Sequence, residues 1–208
     1  MELWIATTNK DKFREIKELL RDLSLEVHAA HELSTYAAPA ETGQTFEANA
    51  RIKAKYLHAV KNNAWVLSDD SGLEVTSLKG LPGVHSARYA GPKARDIENV
   101  SKVLKFMQLQ TSGDDRSATF HCKMCLISPT GEEKIFEGKM VGSISKEMRG
   151  KTGFGYDPIF VPEGETKTLS ELGSAVKNRL SHRAKALKEV KNFLHSLESN
   201  PETIVGDA

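Results

Sequence analysis

Leu3, Trp4, Ile5 and Ala6 form a short, continuous apolar run, the pattern of a buried strand. Polar Thr7, Thr8 and Asn9 follow. Phe13, Ile16, Leu19, Leu20 and Leu23 then recur at helical spacing, with Thr8 or Asn9 placed to cap the helix. A second short strand is predicted over 25–28, a loop rich in Ala, Pro, Gly and Thr over 34–45, and a second helix over 45–60. Trp65, Val66 and Leu67 make another buried-strand run, expected to end in Ser68, Asp69, Asp70, Ser71 and Gly72. Glycines and prolines punctuate 80–92, and a third helix is predicted over 94–108. Ala118, Phe120, Cys122, Met124 and Leu126 alternate with Thr119, His121 and Lys123, which predicts a strand with one buried face. A turn at 128–132 and a partner strand over 134–145 complete a hairpin. After a Gly- and Pro-rich stretch, a last helix starts at Ser181 or His182 and buries Leu187, Val190, Leu194 and Leu197. The pattern predicts one α/β domain over 1–198 and a polar tail over 199–208 that frays.

Composition fits this and narrows the class. A chain of 208 residues, 39% apolar and 27% charged, has enough apolar material to close a core. Its 29 basic and 28 acidic residues nearly cancel, which argues against a dedicated nucleic-acid or membrane-surface binder. No run approaches the ~20 apolar residues of a membrane span. The N-terminal apolar run is too short for a signal peptide, and two cysteines do not make a disulfide scaffold. A cytoplasmic globular protein is expected. Cys122 and Cys125 form a C-x-x-C pair, but residues three apart on a strand face opposite ways and cannot share a metal.

Five local patterns carry candidate chemistry, the first four each with a plain structural alternative. Asp69 and Asp70 follow a buried strand, where an α/β sheet presents ligands; they suit Mg²⁺, or a solvated turn. Lys53 shares a helical stripe with Phe46, Ala50 and Leu57, so it either snorkels or meets an anion. The segment Thr7, Thr8, Asn9, Lys10, Asp11 and Lys12, between strand and helix, makes either an anion site or an ordinary cap. In Gly153, Phe154, Gly155, Tyr156, Asp157 and Pro158, glycines flank an aromatic that either stacks on a base or packs in a tight turn. Lys177, His182 and Arg183 put cationic donors before and at the start of a helix, against its dipole, which favours a binding role.

These pieces, in this order, resemble the inosine triphosphate pyrophosphatase family, in particular its bacterial dITP/XTP pyrophosphatase branch. The resemblance rests on six blocks spanning 7–187. The first two are Thr7-Thr8-Asn9 with Lys12, and Glu41-Thr42-Gly43 together with Thr45-Phe46, Asn49-Ala50 and Lys53-Ala54. Asp69-Asp70-Ser71-Gly72, Pro82-Gly83 with Ser86-Ala87-Arg88-Tyr89, residues 153–158 and Ser181-His182-Arg183 continue the series. It implies a homodimer with an elongated mixed sheet flanked by helices, two lobes around a nucleotide cleft, and Mg²⁺ as cofactor. By motif matching, Asp70 is the general base and a metal ligand, Glu41 is the other metal carboxylate, and Lys53 with residues 7–12 holds the triphosphate. Ser71, Phe154, Gly155, Tyr156, Asp157, Lys177, His182 and Arg183 line the nucleoside pocket. One departure is visible: the family commonly has Glu-Asn where this chain has Ala48-Asn49.

The implied reaction is water attack on the α-phosphorus of ITP, dITP or XTP, leaving the monophosphate and pyrophosphate. Hypoxanthine and xanthine offer a 6-oxo acceptor where adenine offers an amino donor, so the donors His182 and Arg183 are expected to reject adenine. The competing readings are a Maf-like nucleotide pyrophosphatase of other specificity and a nucleotide-binding regulator without catalysis.

Overall fold

A computed structural model describes residues 1–109 and 114–199; of the expected tail, 200–208 lie outside the described residues. The chain opens as read, with β1 (Glu2–Ile5), α1 (Lys10–Leu19) and β2 (Glu26–Ala29). The Asn9 side chain caps α1 by accepting the amides of Asp11 (2.9 Å) and Lys12 (3.0 Å). Thr45 caps α2 (Phe46–His58) through the Ala48 amide. Then come β3 (Trp65–Val75), α3 (Asp96–Leu109) and the hairpin β4 (Ser117–Ile127) and β5 (Glu133–Ile144). The Gly- and Pro-rich stretch contains elements that periodicity does not reveal: β6 (Phe160–Pro162), α4 (Leu169–Leu172) and α5 (Ser174–Leu180). Lys177 therefore sits inside a short helix, not ahead of one. α6 (His182–Ser199) closes the described fold.

The six strands form one sheet in the order β2-β1-β3-β4-β5-β6. β1 is parallel to both β2 and β3, and the remaining pairs are antiparallel, so the sheet is mixed as expected. The long strands carry two separate apolar clusters on one face. Leu67, Cys122, Met124 and Leu126 pack with α1 and α6, whereas Leu73, Val75, Ala118 and Phe120 pack with α3 and α4. Between them, on the same face of β3, lie Asp69 and Ser71. The opposite face packs Val66, Cys125 and Ile127 against Ala50, Ala54 and Leu57 of α2. Two lobes joined by continuous strands, with polar residues at the waist, follow from this pattern.

One correction concerns β3, which does not end at Leu67. It runs 11 residues through both aspartates, in unbroken register with β4 from Val66 opposite Ile127 to Val75 opposite Ala118. The apolar run stops because the next side chains are charged, but each finds a cation, so the backbone has no reason to turn. Cys122 and Cys125 fall in different clusters on opposite faces, and burial pushes their thiols up to about 12 and about 11. The C-x-x-C pair is core. Among the described residues, no helix is long and apolar enough to cross a membrane.

Candidate active site

β1 pairs with β3 only as far as Leu67, and the Leu73 amide donates to the Ser86 hydroxyl (2.9 Å) of the 3-10 turn Gly83–Arg88. Between these points β3 has a strand on its β4 side only. Asp69 and Asp70 stand at this opening and, being adjacent on a strand, face opposite ways. The loop that leaves β1 and starts α1 lies beside them.

On the α2 side, Lys53 is 8% exposed, and its Nζ donates to Asp70 Oδ1 (2.7 Å) and Glu41 Oε1 (3.0 Å). Phe46, Ala50 and Leu57 on the same stripe are buried, so Lys53 meets anions and does not snorkel. Arg88 holds the other oxygen of Glu41 at 2.7 Å. Burial alone would discharge Lys53, but Asp70, Asp69 and Glu41 together raise its pKa and hold it charged. Glu41 is lowered because Lys53 and Arg88 outweigh its burial. Asp70 is raised: burial and the nearby Glu41 outweigh Lys53 and Lys12. Its Oδ2 is buried and has no protein partner. One lysine shared by two carboxylates therefore leaves Asp70 with an open oxygen and the character of a base.

On the other face, Asn9, Lys12, Ser71, residues 154–157, Lys177, His182 and Arg183 line one cavity of about 100 Å³, with Phe120 in its wall. Thr7, Thr8, Lys10 and Asp11 are outside it; Thr7 is buried and its hydroxyl accepts the Asn9 amide, while Thr8 and Lys10 are exposed. Arg183 is fully buried yet charged, its pKa raised by Asp69 and Glu15 against the effect of burial. It donates through Nε and Nη2 to Asp69 Oδ2 (3.3 and 3.0 Å), through Nη2 to Ser71 Oγ (3.0 Å), and through Nη1 to Glu15 Oε2 (2.5 Å). Four of its five N–H groups are thus engaged, and one on Nη1 remains. Lys12, Arg183 and Lys53 outweigh the burial of Asp69 and hold it far below the usual carboxylate range. The His182 ring stacks on Phe120 (4.6 Å, 6°). Burial, with Arg183 and Lys177 nearby, drives the His182 pKa well down, so the ring is neutral and offers one donor and one acceptor. Lys177 donates to Asp157 Oδ2 (2.6 Å) and lies 4.0 Å from the centre of the Phe154 ring. Asp157 Oδ2 also accepts the Phe154 amide (3.0 Å). Gly153 allows this turn, since it has φ +82° and a Cβ there would strike the Asp157 carboxylate. Tyr156 is buried, and its hydroxyl donates to the Ser86 carbonyl (2.7 Å).

The sequence profile of the Ham1 family matches residues 3–193. The chain belongs to the Ham1 family. It is 55% identical to a dITP/XTP pyrophosphatase of Bdellovibrio bacteriovorus over 97% of this chain and 100% of that one. It is 43% identical to a dITP/XTP pyrophosphatase of Bacillus subtilis over 94% and 98%. Among solved structures, a HAM1 protein from Coxiella burnetii superposes with a TM-score of 0.84 at 41% identity, over 94% of this chain and 99% of that one.

Two side chains of this Ham1 site, Arg88 and Glu15, were given no role from the sequence, and a third, Asp69, was read only together with Asp70 as a possible Mg²⁺ ligand. Asp69 carries Lys12 (3.2 Å) and Arg183; the Asp-Asp pair gave the signal, but only strand alternation separates the two roles. Arg88, inside a matching block, positions Glu41. Glu15, on α1, binds both Lys177 and Arg183, and nothing local in the sequence marks it. Ala48 is half-buried and lines an open hollow with Arg51 and Lys123, away from the Lys53 cluster.

Proposed function

We propose that this chain hydrolyses deaminated purine nucleoside triphosphates (ITP, dITP and XTP) to the monophosphate and pyrophosphate, with water attacking the α-phosphorus. The observation that carries the reading is the carboxylate pair around Lys53. Asp70 keeps a buried, unpartnered oxygen and a raised pKa, and stands one residue along β3 from the floor of a cationic cavity. Binding a nucleotide without cleaving it needs no such base. Relatives at 43–55% identity that carry the name dITP/XTP pyrophosphatase support the same reaction and substrate class.

Glu41 and Asp70 also fit Mg²⁺. Among the described residues no group of three His, Cys, Asp or Glu side chains forms a metal cage. Mg²⁺ is usually held by one or two carboxylates together with substrate phosphates and water, which suits a pair with an open oxygen on Asp70. Bound there, the ion would offset phosphate charge and support the departing pyrophosphate. Asp70 orients the attacking water and takes its proton. Lys53 stays charged beside it and faces the phosphate path. Lys12, from the start of α1, and the exposed Lys10 meet the leaving phosphates. In the cavity, Phe154 provides a stacking face, and the remaining Nη1–H of Arg183 donates to a 6-oxo group. Adenine, with an amino group at that place, leaves the donor unpaired. The resemblance carries with it a homodimer acting on the cytoplasmic nucleotide pool.

Hydrolysis of ITP in oxygen-18 water tests the chemistry. Attack at the α-phosphorus puts the label into IMP and none into pyrophosphate, and Asp70→Asn releases neither product. Label in pyrophosphate overturns the reading.

A further inference from the structure

We propose that Glu15 is a positioning residue for base selection: its carboxylate clamps the two cations, Lys177 and Arg183, that face the nucleoside cavity. The proposal rests on the pyrophosphatase reading above and adds a residue to it. Glu15 lies one turn after Lys12 on α1, so both project from the same side of the helix. Its Oε1 is 2.7 Å from Lys177 Nζ and its Oε2 is 2.5 Å from Arg183 Nη1.

Both cations are almost wholly buried. They also stand close to one ring: Lys177 Nζ is 4.0 Å and Arg183 Cζ 5.9 Å from the centre of Phe154. Two like charges so placed need an anion between them, and Glu15 supplies it. The ion pairs then alternate without a break from Asp157 through Lys177, Glu15, Arg183 and Asp69 to Lys12. Glu15 is the member that joins the Asp157–Lys177 pair at the aromatic turn to the Arg183–Asp69 pair at β3. It also fixes which donors Arg183 presents. With Glu15 in place Nη1 has one N–H not given to a carboxylate; without it Nη1 has two, and the guanidinium is held only along its Nε and Nη2 edge, by Asp69 and Ser71. The base end of the cavity is thereby tied to the helix whose first turn carries Lys12.

The variants Glu15→Gln and Glu15→Asp test this by steady-state hydrolysis of ITP and ATP, by calorimetric binding of IMP, and by inhibition with inorganic pyrophosphate. A charge-assisted contact supports an expected loss of about ten- to a hundredfold in kcat/KM for ITP in Glu15→Gln, carried mainly by KM. ATP hydrolysis changes little, so the ITP:ATP preference falls by the same factor. IMP binding weakens in parallel, and inhibition by pyrophosphate, which has no base, is unchanged. Glu15→Asp keeps the charge and recovers part of the preference. It also decides the matter if Glu15→Gln does not fold, because a shorter acid cannot span both cations and still lowers the preference. An unchanged ITP:ATP ratio, or equal losses for both nucleotides, overturns the proposal. Wild-type protein that binds IMP but releases no pyrophosphate from ITP contradicts the hydrolase reading alone. The IMP affinities of the variants then still decide the role of Glu15.

Discussion

Asp69 and Asp70 sit side by side on β3 but respond to acid in opposite directions, because strand alternation gives them different neighbours. Asp69 is held by Lys12 and Arg183, and its folded pKa is depressed. The stability it contributes is therefore full above the ordinary carboxylate pKa of about 3.9 and is lost as pH falls from there towards the folded value. Asp70 is raised by burial, so the fold favours its protonated form, and that advantage fades as pH rises through its folded pKa. A buried base at neutral pH works against stability, as expected of a site built for chemistry. Asp69→Asn leaves Arg183 buried with Glu15 as its remaining carboxylate. Breaking such a buried pair is expected to destabilise the protein by about 3–5 kcal/mol at pH 7. Urea melts at pH 7 and pH 3 check this: the gap between wild type and variant should narrow at the lower pH, and a constant gap contradicts the assignment.

At the scale of elements, α6 depends on a missing side chain. An alanine methyl at Gly138 on β5 would overlap the His182 carbonyl and the Ala186 amide nitrogen. Those are backbone atoms, so the start of α6 would have to lift from the sheet, carrying His182 and Arg183 with it. Gly138→Ala is expected to cost about 1–3 kcal/mol by overpacking and to lower the ITP:ATP preference as well. Wild-type stability in a denaturant melt would contradict this packing. Periodicity made most elements legible: Ile16 on α1 and Leu20 at its C-terminal cap, the Lys53 stripe of α2, and the alternation of β4 lie as their spacing predicts. It failed where apolar spacing does not govern. β3 continues through charges because each charge is paired across the fold, and α4 and α5 are held by the Thr168 cap and by Lys177 contacts. Glu15 was invisible for the same reason, since its partners lie more than 160 residues away.

At the scale of the molecule, two apolar clusters on one face of a continuous sheet leave a polar waist, and the charged groups of the candidate site gather there. The cavity side, with Phe154, Lys177, His182 and Arg183, and the carboxylate side, with Glu41, Lys53 and Asp70, lie on opposite faces of β3. They meet at the stretch of its edge beyond β1. On the proposed function, a nucleotide spanning that edge would put its base among the cations and Phe154 and its α-phosphorus beside Asp70. The family match over 3–193 covers both sides of this waist, and the sequence blocks named candidates on each side without separating the two faces. The central claim is that a metal-assisted hydrolase selects the deaminated purines over adenine. Pyrophosphate release from ITP, XTP and ATP, with Mg²⁺ and then with EDTA, tests it most directly. The account predicts release from ITP and XTP with Mg²⁺, far less from ATP, and none from any of them in EDTA; equal release from ATP, or release that persists in EDTA, would contradict it.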